Sequence, residues 1–196
     1  VNVTAGGVGL VGFGGTGNTG LANSVVFDAT IGKLWVATST GLQRMDPVTR
    51  NVEIVYTTVN SDLQSNLVNE VIVLADGTLA VGTSGGGAAF CVESFFQLTC
   101  AVTFQDGDLN GQLNSNNIRT LGQLADGTLL IGTSSCLVMA QFTDAGFGTN
   151  SFREYCDGDG GGDGLSANNN VIIDITIDAG RDQAWIATDA RAHRLV

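Results

Sequence analysis

The side chains best placed to do chemistry in this 196-residue chain are carboxylates spaced two apart among glycines. Asp106-Gly107-Asp108-Leu109-Asn110-Gly111-Gln112-Leu113 sets oxygen ligands at alternate positions, supplies a glycine for a sharp turn, and places an apolar residue two positions later, as the first half of a calcium loop does. The position where a bidentate glutamate would close such a loop holds Asn117. A second run, Asp157-Gly158-Asp159-Gly160-Gly161-Gly162-Asp163, offers three more carboxylates. Asp106, Asp108, Asn110, Asp157, Asp159 and Asp163 are the candidate ligands for Ca2+, the one cofactor these residues point to. The same spacing suits a solvated Asp/Gly turn, and half a motif leaves both readings open.

Other groups offer less. Thr83-Ser84-Gly85 and Thr133-Ser134-Ser135 do not form a G-x-S-x-G nucleophile elbow. The single histidine, His193, is flanked by Ala192 and Arg194, with no adjacent carboxylate to orient it as a base. Gly7-Val8-Gly9-Leu10-Val11-Gly12 spells a dinucleotide fingerprint, but Phe13-Gly14-Gly15-Thr16-Gly17-Asn18 cannot form the helix whose N-terminus would face a pyrophosphate. No catalytic residue is assigned, although loop carboxylates leave a lyase or glycosidase pair open. Asn23, Asn66, Asn116 and Asn168 each precede the first strand-like run of a repeat. They could ring a central channel or rim and meet sugar hydroxyls; capping of each residue's own turn through the side-chain oxygen is the favoured reading.

The four cysteines, Cys91, Cys100, Cys136 and Cys156, show no C-x-x-C spacing, so zinc is poorly supported. An even count suits two disulfides and an oxidising compartment. Three connectivities exist. Cys91–Cys100 and Cys136–Cys156 are expected, because each pair brackets the second half of one repeat; four buried thiols are the alternative.

The elements that must position these groups are short strands. Gly32-Lys33-Leu34-Trp35-Val36-Ala37-Thr38 returns as Asp76–Thr83, as Asp126–Thr133 and, more loosely, as Asp182–Thr188. A turn, an apolar strand, a small residue and a threonine recur about every 45–55 residues, the range of propeller blades. Near-continuous apolar runs at Leu34–Thr38, Leu79–Thr83, Leu129–Thr133 and Ala184–Thr188 fit strands buried on both faces. The small residues Ala37, Gly82, Gly132 and Ala187 would let a neighbouring sheet approach closely. Hydrophobic residues make up 43% of the chain, enough for a packed core. The net charge is −11 with only 8 Lys and Arg, so the basic stripe that nucleic acid requires is missing. No apolar run reaches the length of a membrane-spanning helix.

Gly111-Gln112-Leu113-Asn114-Ser115-Asn116-Asn117-Ile118 followed by Asp126–Thr133 resembles the repeat of the two-component-regulator propellers, as do Leu63-Gln64-Ser65-Asn66 and Gly164-Leu165-Ser166-Ala167-Asn168. The resemblance covers about residues 20–196 and implies an all-β fold, a β-propeller of four repeats in one domain, 1–196. The repeats fall at about 20–59, 60–109, 110–160 and 161–196. Residues 1–19 form a Gly-rich segment expected to complete the last blade, which shows only three strand-like runs. The alternative is a four-blade arc of a larger or dimeric propeller. Equivalent loops would then open on one rim and bring the acidic runs together. The expected role is a non-catalytic interaction or assembly module, extracellular, surface-bound or periplasmic. Its partners would be protein or glycan, with calcium assisting, and the module would be a homo-oligomer if arcs pair. The alternative role is a propeller-scaffold enzyme, a carbohydrate or lactone lyase or hydrolase with a metal in the channel.

Overall fold

The computed structural model describes residues 20–107, 113, 115–142, 149–156, 171–189 and 191–195. Every described element is a strand. β1 (Ala22–Asp28), β2 (Lys33–Thr38), β3 (Gly41–Met45) and β4 (Val52–Tyr56) form one antiparallel sheet in chain order. β5 (Val68–Val73), β6 (Leu79–Thr83), β7 (Ala88–Ser94) and β8 (Gln97–Phe104) form the second. β9 (Ile118–Gln123), β10 (Leu129–Thr133), β11 (Cys136–Phe142) and β12 (Thr149–Cys156) form the third. β13 (Ile172–Asp178), β14 (Gln183–Thr188) and β15 (Ala192–Leu195) form a three-stranded fourth. These are the blades of a four-bladed β-propeller.

The repeated phrase has a local cause at each of its positions. At its start, the Asp76 and Asp126 carboxylates accept hydrogen bonds from the Thr78 and Thr128 amides, at 2.9 and 2.8 Å. The following Gly77 and Gly127 adopt φ of +87° and +88°, which closes the hairpin at no side-chain cost. At its end, the threonine hydroxyl closes the next turn. Thr38 Oγ1 donates to the Gly41 carbonyl, Thr83 to Gly87, Thr133 to Cys136 and Thr188 to Arg191, at 2.7–3.0 Å.

Between these ends, alternate side chains of the apolar strand face the two neighbouring blades. Trp35, Ala37, Leu42 and Tyr56 of blade 1 pack with Leu63, Val68, Val71, Leu79 and Val81 of blade 2. Ala80, Phe90 and Phe104 of blade 2 pack with Leu113, Ile118, Leu121, Leu129 and Ile131 of blade 3. Leu130 and Leu137 of blade 3 pack with Ile172, Ile175, Ala184 and Ile186 of blade 4. A fully buried side chain of this size contributes about 1.5–3 kcal/mol, so these three seams outweigh any polar contact between blades. The small residue sets how close the blades come: a Cβ on Gly82 would lie 2.7 Å from Ile118 Cγ2, and one on Gly132 would lie 2.6 Å from Ile172 Cγ2.

The innermost strands follow one another around the axis, β1 beside β5, β5 beside β9 and β9 beside β13. Among the described strands, no comparable packing joins β13 back to β1. Residues 1–19, expected to complete the last blade, lie outside the described residues.

Both disulfides are present. Cys91–Cys100 and Cys136–Cys156 each link directly opposed residues of a blade's third and fourth strands, β7 with β8 and β11 with β12.

Candidate functional site

The connectors that leave one blade's outer strand and enter the next blade's inner strand build the rim. In the first, Leu63 is buried between blades 1 and 2. Ser65 turns the chain by accepting the Leu67 amide, and its hydroxyl donates to the Ser84 carbonyl at 2.9 Å. Asn66 then reaches back, its Oδ1 accepting the Thr58 amide at 2.8 Å. The second connector repeats the design. Leu113 is buried between blades 2 and 3. Ser115 accepts the Asn117 amide and lies 2.9 Å from the Ser134 hydroxyl. Asn116 Oδ1 accepts the Asp106 amide at 2.6 Å, while the Asn116 carbonyl takes the Gly85 and Gly87 amides of the previous blade. The Leu-x-Ser-Asn phrase is therefore a plug, a turn and a clamp.

Asp106 and Gly107 sit at the mouth of the second connector, exposed, with the Gly107 amide bonded to the Leu113 carbonyl at 2.8 Å. Asp108 and Asn110 lie outside the described residues, as do Asp157, Asp159, Asp163 and Asn168. Asn23 does not share the register of Asn66 and Asn116. It stands within β1, at the bulge between Ala22 and Ser24, so it does not precede its strand as the sequence pattern led us to expect. The reason is a three-residue offset: Leu21 and Leu67 bond equivalent amides, those of Ser39 and Ser84, which aligns Asn23 with Asn69. These two side chains staple neighbouring inner strands. Asn23 Nδ2 donates to the Val68 carbonyl and Asn69 Nδ2 to the Ile118 carbonyl, both at 2.7 Å.

One row of polar groups was not singled out from the sequence. Ser24, Glu70, Thr120 and Asp174 occupy the same place on β1, β5, β9 and β13, one residue past each bulge. Ser24 Oγ donates to Glu70 Oε1, and Thr120 Oγ1 accepts the Ile175 amide at 3.2 Å. Burial raises the Glu70 pKa above the usual carboxylate value, and the charge of Asp174 adds to that rise; the Ser24 and Val71 hydrogen bonds oppose it. A polar residue at the same place in each of the four inner strands was the available signal.

A second unforeseen group spans blades 1 and 2. Arg44 on β3 bonds Glu53 at 2.9 Å within its own blade and Glu93 on β7 at 2.8 Å across the seam. Tyr56 donates to the same Glu93 oxygen at 3.1 Å, and the Arg44 guanidinium lies 4.2 Å from the centre of the Phe96 ring. Burial pushes the Tyr56 phenol well above its ordinary pKa, and Glu93 reinforces that. Cys136, Glu154 and Cys156 come together with metal-like spacing, but the disulfide occupies both sulfurs. His193 lies on β15 opposite Ile186, with its Nε2 buried and unpartnered among the described residues. No helix among the described residues is long and apolar enough to cross a membrane.

No family model matches the chain, and no curated protein does. Solved structures do. The extracellular domain assigned to one hybrid two-component system of B. thetaiotaomicron superposes with a TM-score of 0.65 at 22% identity, over 86% of this chain and 20% of that one. A second from the same organism gives 0.63 at 22% identity, over 88% of this chain and 21% of that one. The WD40 β-propeller domain of Doa1 gives 0.61 at 9% identity, over 89% of this chain and 50% of that one. This chain spans about a fifth of the length of those two bacterial extracellular domains. At these identities the likeness is one of fold, and the fold is the propeller.

Proposed function

We propose that this propeller is a non-catalytic recognition module working outside the cytoplasm, and that it reads a protein or glycan partner through its connector rim. The observation that carries this reading is the pair of connectors fixed by Asn66 and Asn116. Each holds a loop between blades in one conformation, and the second presents Asp106 to solvent at its mouth. Binding residues are commonly carried on loops held by a rigid scaffold. Two disulfides support an oxidising location, as does the likeness of fold to extracellular domains of two-component systems.

Calcium belongs to this reading as a proposed assistant at Asp106, Asp108, Asn110, Asp157, Asp159 and Asp163. The test is binding of the chain to immobilised glycans and peptides with and without calcium, alongside melting in a calcium titration. Calcium-dependent capture that Asp106→Asn weakens, with a midpoint that rises with calcium, is the expected result. Capture that Asp106→Asn leaves intact would refute the rim. An unchanged midpoint across millimolar calcium would remove the ion from the account while leaving the rim.

A further inference from the structure

The turns of blades 1 and 2 at the end away from the connector rim carry exposed apolar side chains. In sheets that run in chain order, the β1–β2, β3–β4 and β7–β8 turns open at one end, and the connectors with the β6–β7 turn open at the other. The β7–β8 turn is Phe95-Phe96, with φ of +50° and +62°, between the paired Ser94 and Gln97. A two-residue turn with both φ positive favours Asn-Gly, because a side chain with a Cβ is disfavoured there. No burial offsets this at Phe95, which is 98% exposed. Val48 in the β3–β4 turn is 86% exposed, and Ile31 in the β1–β2 turn is exposed as well.

These tips are held in place. One carboxylate pins each turn: Asp28 accepts the Thr30 amide at 2.9 Å, Asp46 the Val48 amide at 2.9 Å, and Glu93 the Phe96 amide at 2.7 Å. Lys33 bonds Asp46 and Glu53, and Arg44 bonds Glu53 and Glu93, so one ion network joins the Val48 turn to the Phe95 turn. The Cys91–Cys100 bridge ties the two strands of the hairpin behind its tip. An apolar anchor fixed before contact loses little freedom on binding.

We propose that this end of blades 1 and 2 is a second interaction surface, for a protein that offers Phe95 an apolar pocket edged by lysines and arginines. Aromatic side chains are enriched at the centres of protein interfaces, and Phe95 is strained and solvated unless a partner covers it. The basic edge follows from charge. The β5–β6, β9–β10 and β13–β14 turns open at the same end and expose Asp76, Asp126 and Asp182, while Asp178 there is paired with Arg181. Arg50 is the exposed cation of the β3–β4 turn, and the chain carries −11 overall. Such a field draws in a basic surface and repels an anionic one, acidic lipid headgroups included. The surface lies at the other end of the blades from the connector rim, so either reading can fail alone.

The test uses the full chain and, as probe, a phage library of random cyclic dodecapeptides selected on it. The enriched peptides should combine apolar side chains with lysine or arginine, and should bind more weakly as salt is raised. Phe95→Asn, which suits the turn, should lower their affinity by at least about tenfold. Val48→Ser should lower it as well, because the ion network sets both tips at one surface. Neither variant should lower Tm, since both side chains stand in solvent. A Phe95→Asn variant that melts earlier than the parent overturns the proposal, because the aromatic ring would then serve the fold. Selection that yields no peptides, or peptides that bind both variants as tightly as the parent, also overturns it. So do enriched sequences without basic residues. Phosphatidylcholine vesicles that sediment the parent but not Phe95→Asn would make the occupant a lipid surface and overturn the protein partner.

Discussion

Replacing Gly82 by alanine tests whether the small residue of the repeated phrase sets the distance between blades. The added methyl would lie 2.7 Å from Ile118 Cγ2 and 3.2 Å from its Cβ, both atoms of a side chain wholly buried in the next seam. Two effects compete. Alanine restricts the unfolded chain, worth about 0.4–1 kcal/mol in favour of the fold where the native backbone accepts it. Gly82 lies outside the positive-φ set, so that gain is available. Overpacking a fitted core costs about 1–3 kcal/mol. The clash should win: the centres of the two ranges leave a net loss of about 1.3 kcal/mol, or roughly 3–5 °C in Tm at about 2–4 °C per kcal/mol for a chain of this size.

The repair is already present in the molecule, because the first seam packs Ala37 with Val68 at the equivalent positions. Ile118→Val alone should cost about 0.5–1.5 kcal/mol. Combined with Gly82→Ala it should cost less than the sum, since the shorter side chain can shift from the new methyl. Chemical denaturation of the four members of this cycle measures the coupling. A Gly82→Ala variant as stable as the parent, or strictly additive losses, would show that the seam is set by something else.

Three further outcomes follow from the same geometry. The Glu70 pKa is raised on folding, so its contribution is fully present below the unfolded carboxylate pKa and is lost as pH rises through the folded value. Glu70→Gln, whose Oε1 can still accept from Ser24, should therefore be the more stable protein at pH 7. That advantage should close toward pH 4 in denaturation curves taken across pH, and a constant gap would contradict it. Removing a disulfide should cost about 2.7 kcal/mol for the Cys91–Cys100 loop and about 3.3 kcal/mol for Cys136–Cys156 by loop entropy, so paired alanine variants should rank in that order in urea; the separations are 9 and 20 residues. His193→Leu should stabilise the chain by about 1–2 kcal/mol, because the buried Nε2 is desolvated without a hydrogen bond in return. A loss of stability in melting would indicate that the ring is satisfied.

The fold was legible because strand periodicity and turn chemistry repeat. The runs beginning at Leu34, Leu79 and Leu129 are strands for local reasons: Asp-Gly or similar turns on one side and a threonine-closed turn on the other. Disulfide pairing was legible for a related reason, since each pair lies within one blade. The asparagine register was not. Asn23 and Asn66 look alike beside their strands, and only the bulge in β1 shows that Asn23 matches Asn69. Contacts across seams were hidden altogether. Nothing about Arg44 and Glu93, 49 positions apart, marks them as partners until the sheets stack. The acidic runs remain the least legible part, because Asp/Gly spacing serves a turn and a metal equally well.

The chain-order packing of the blades has a consequence for how stability is distributed along the molecule. Among the described residues, the packed seams join each blade to the one before and the one after it, so cohesion behaves largely as a row of nearest-neighbour couplings rather than as one shared interior. Blades 2 and 3 have a described seam on both sides and one disulfide each, while blades 1 and 4 have one such seam and neither bond. Amide exchange should thus be slowest in the middle of the row and fastest toward its two ends. A duplication or loss of one blade would leave the remaining couplings as they were.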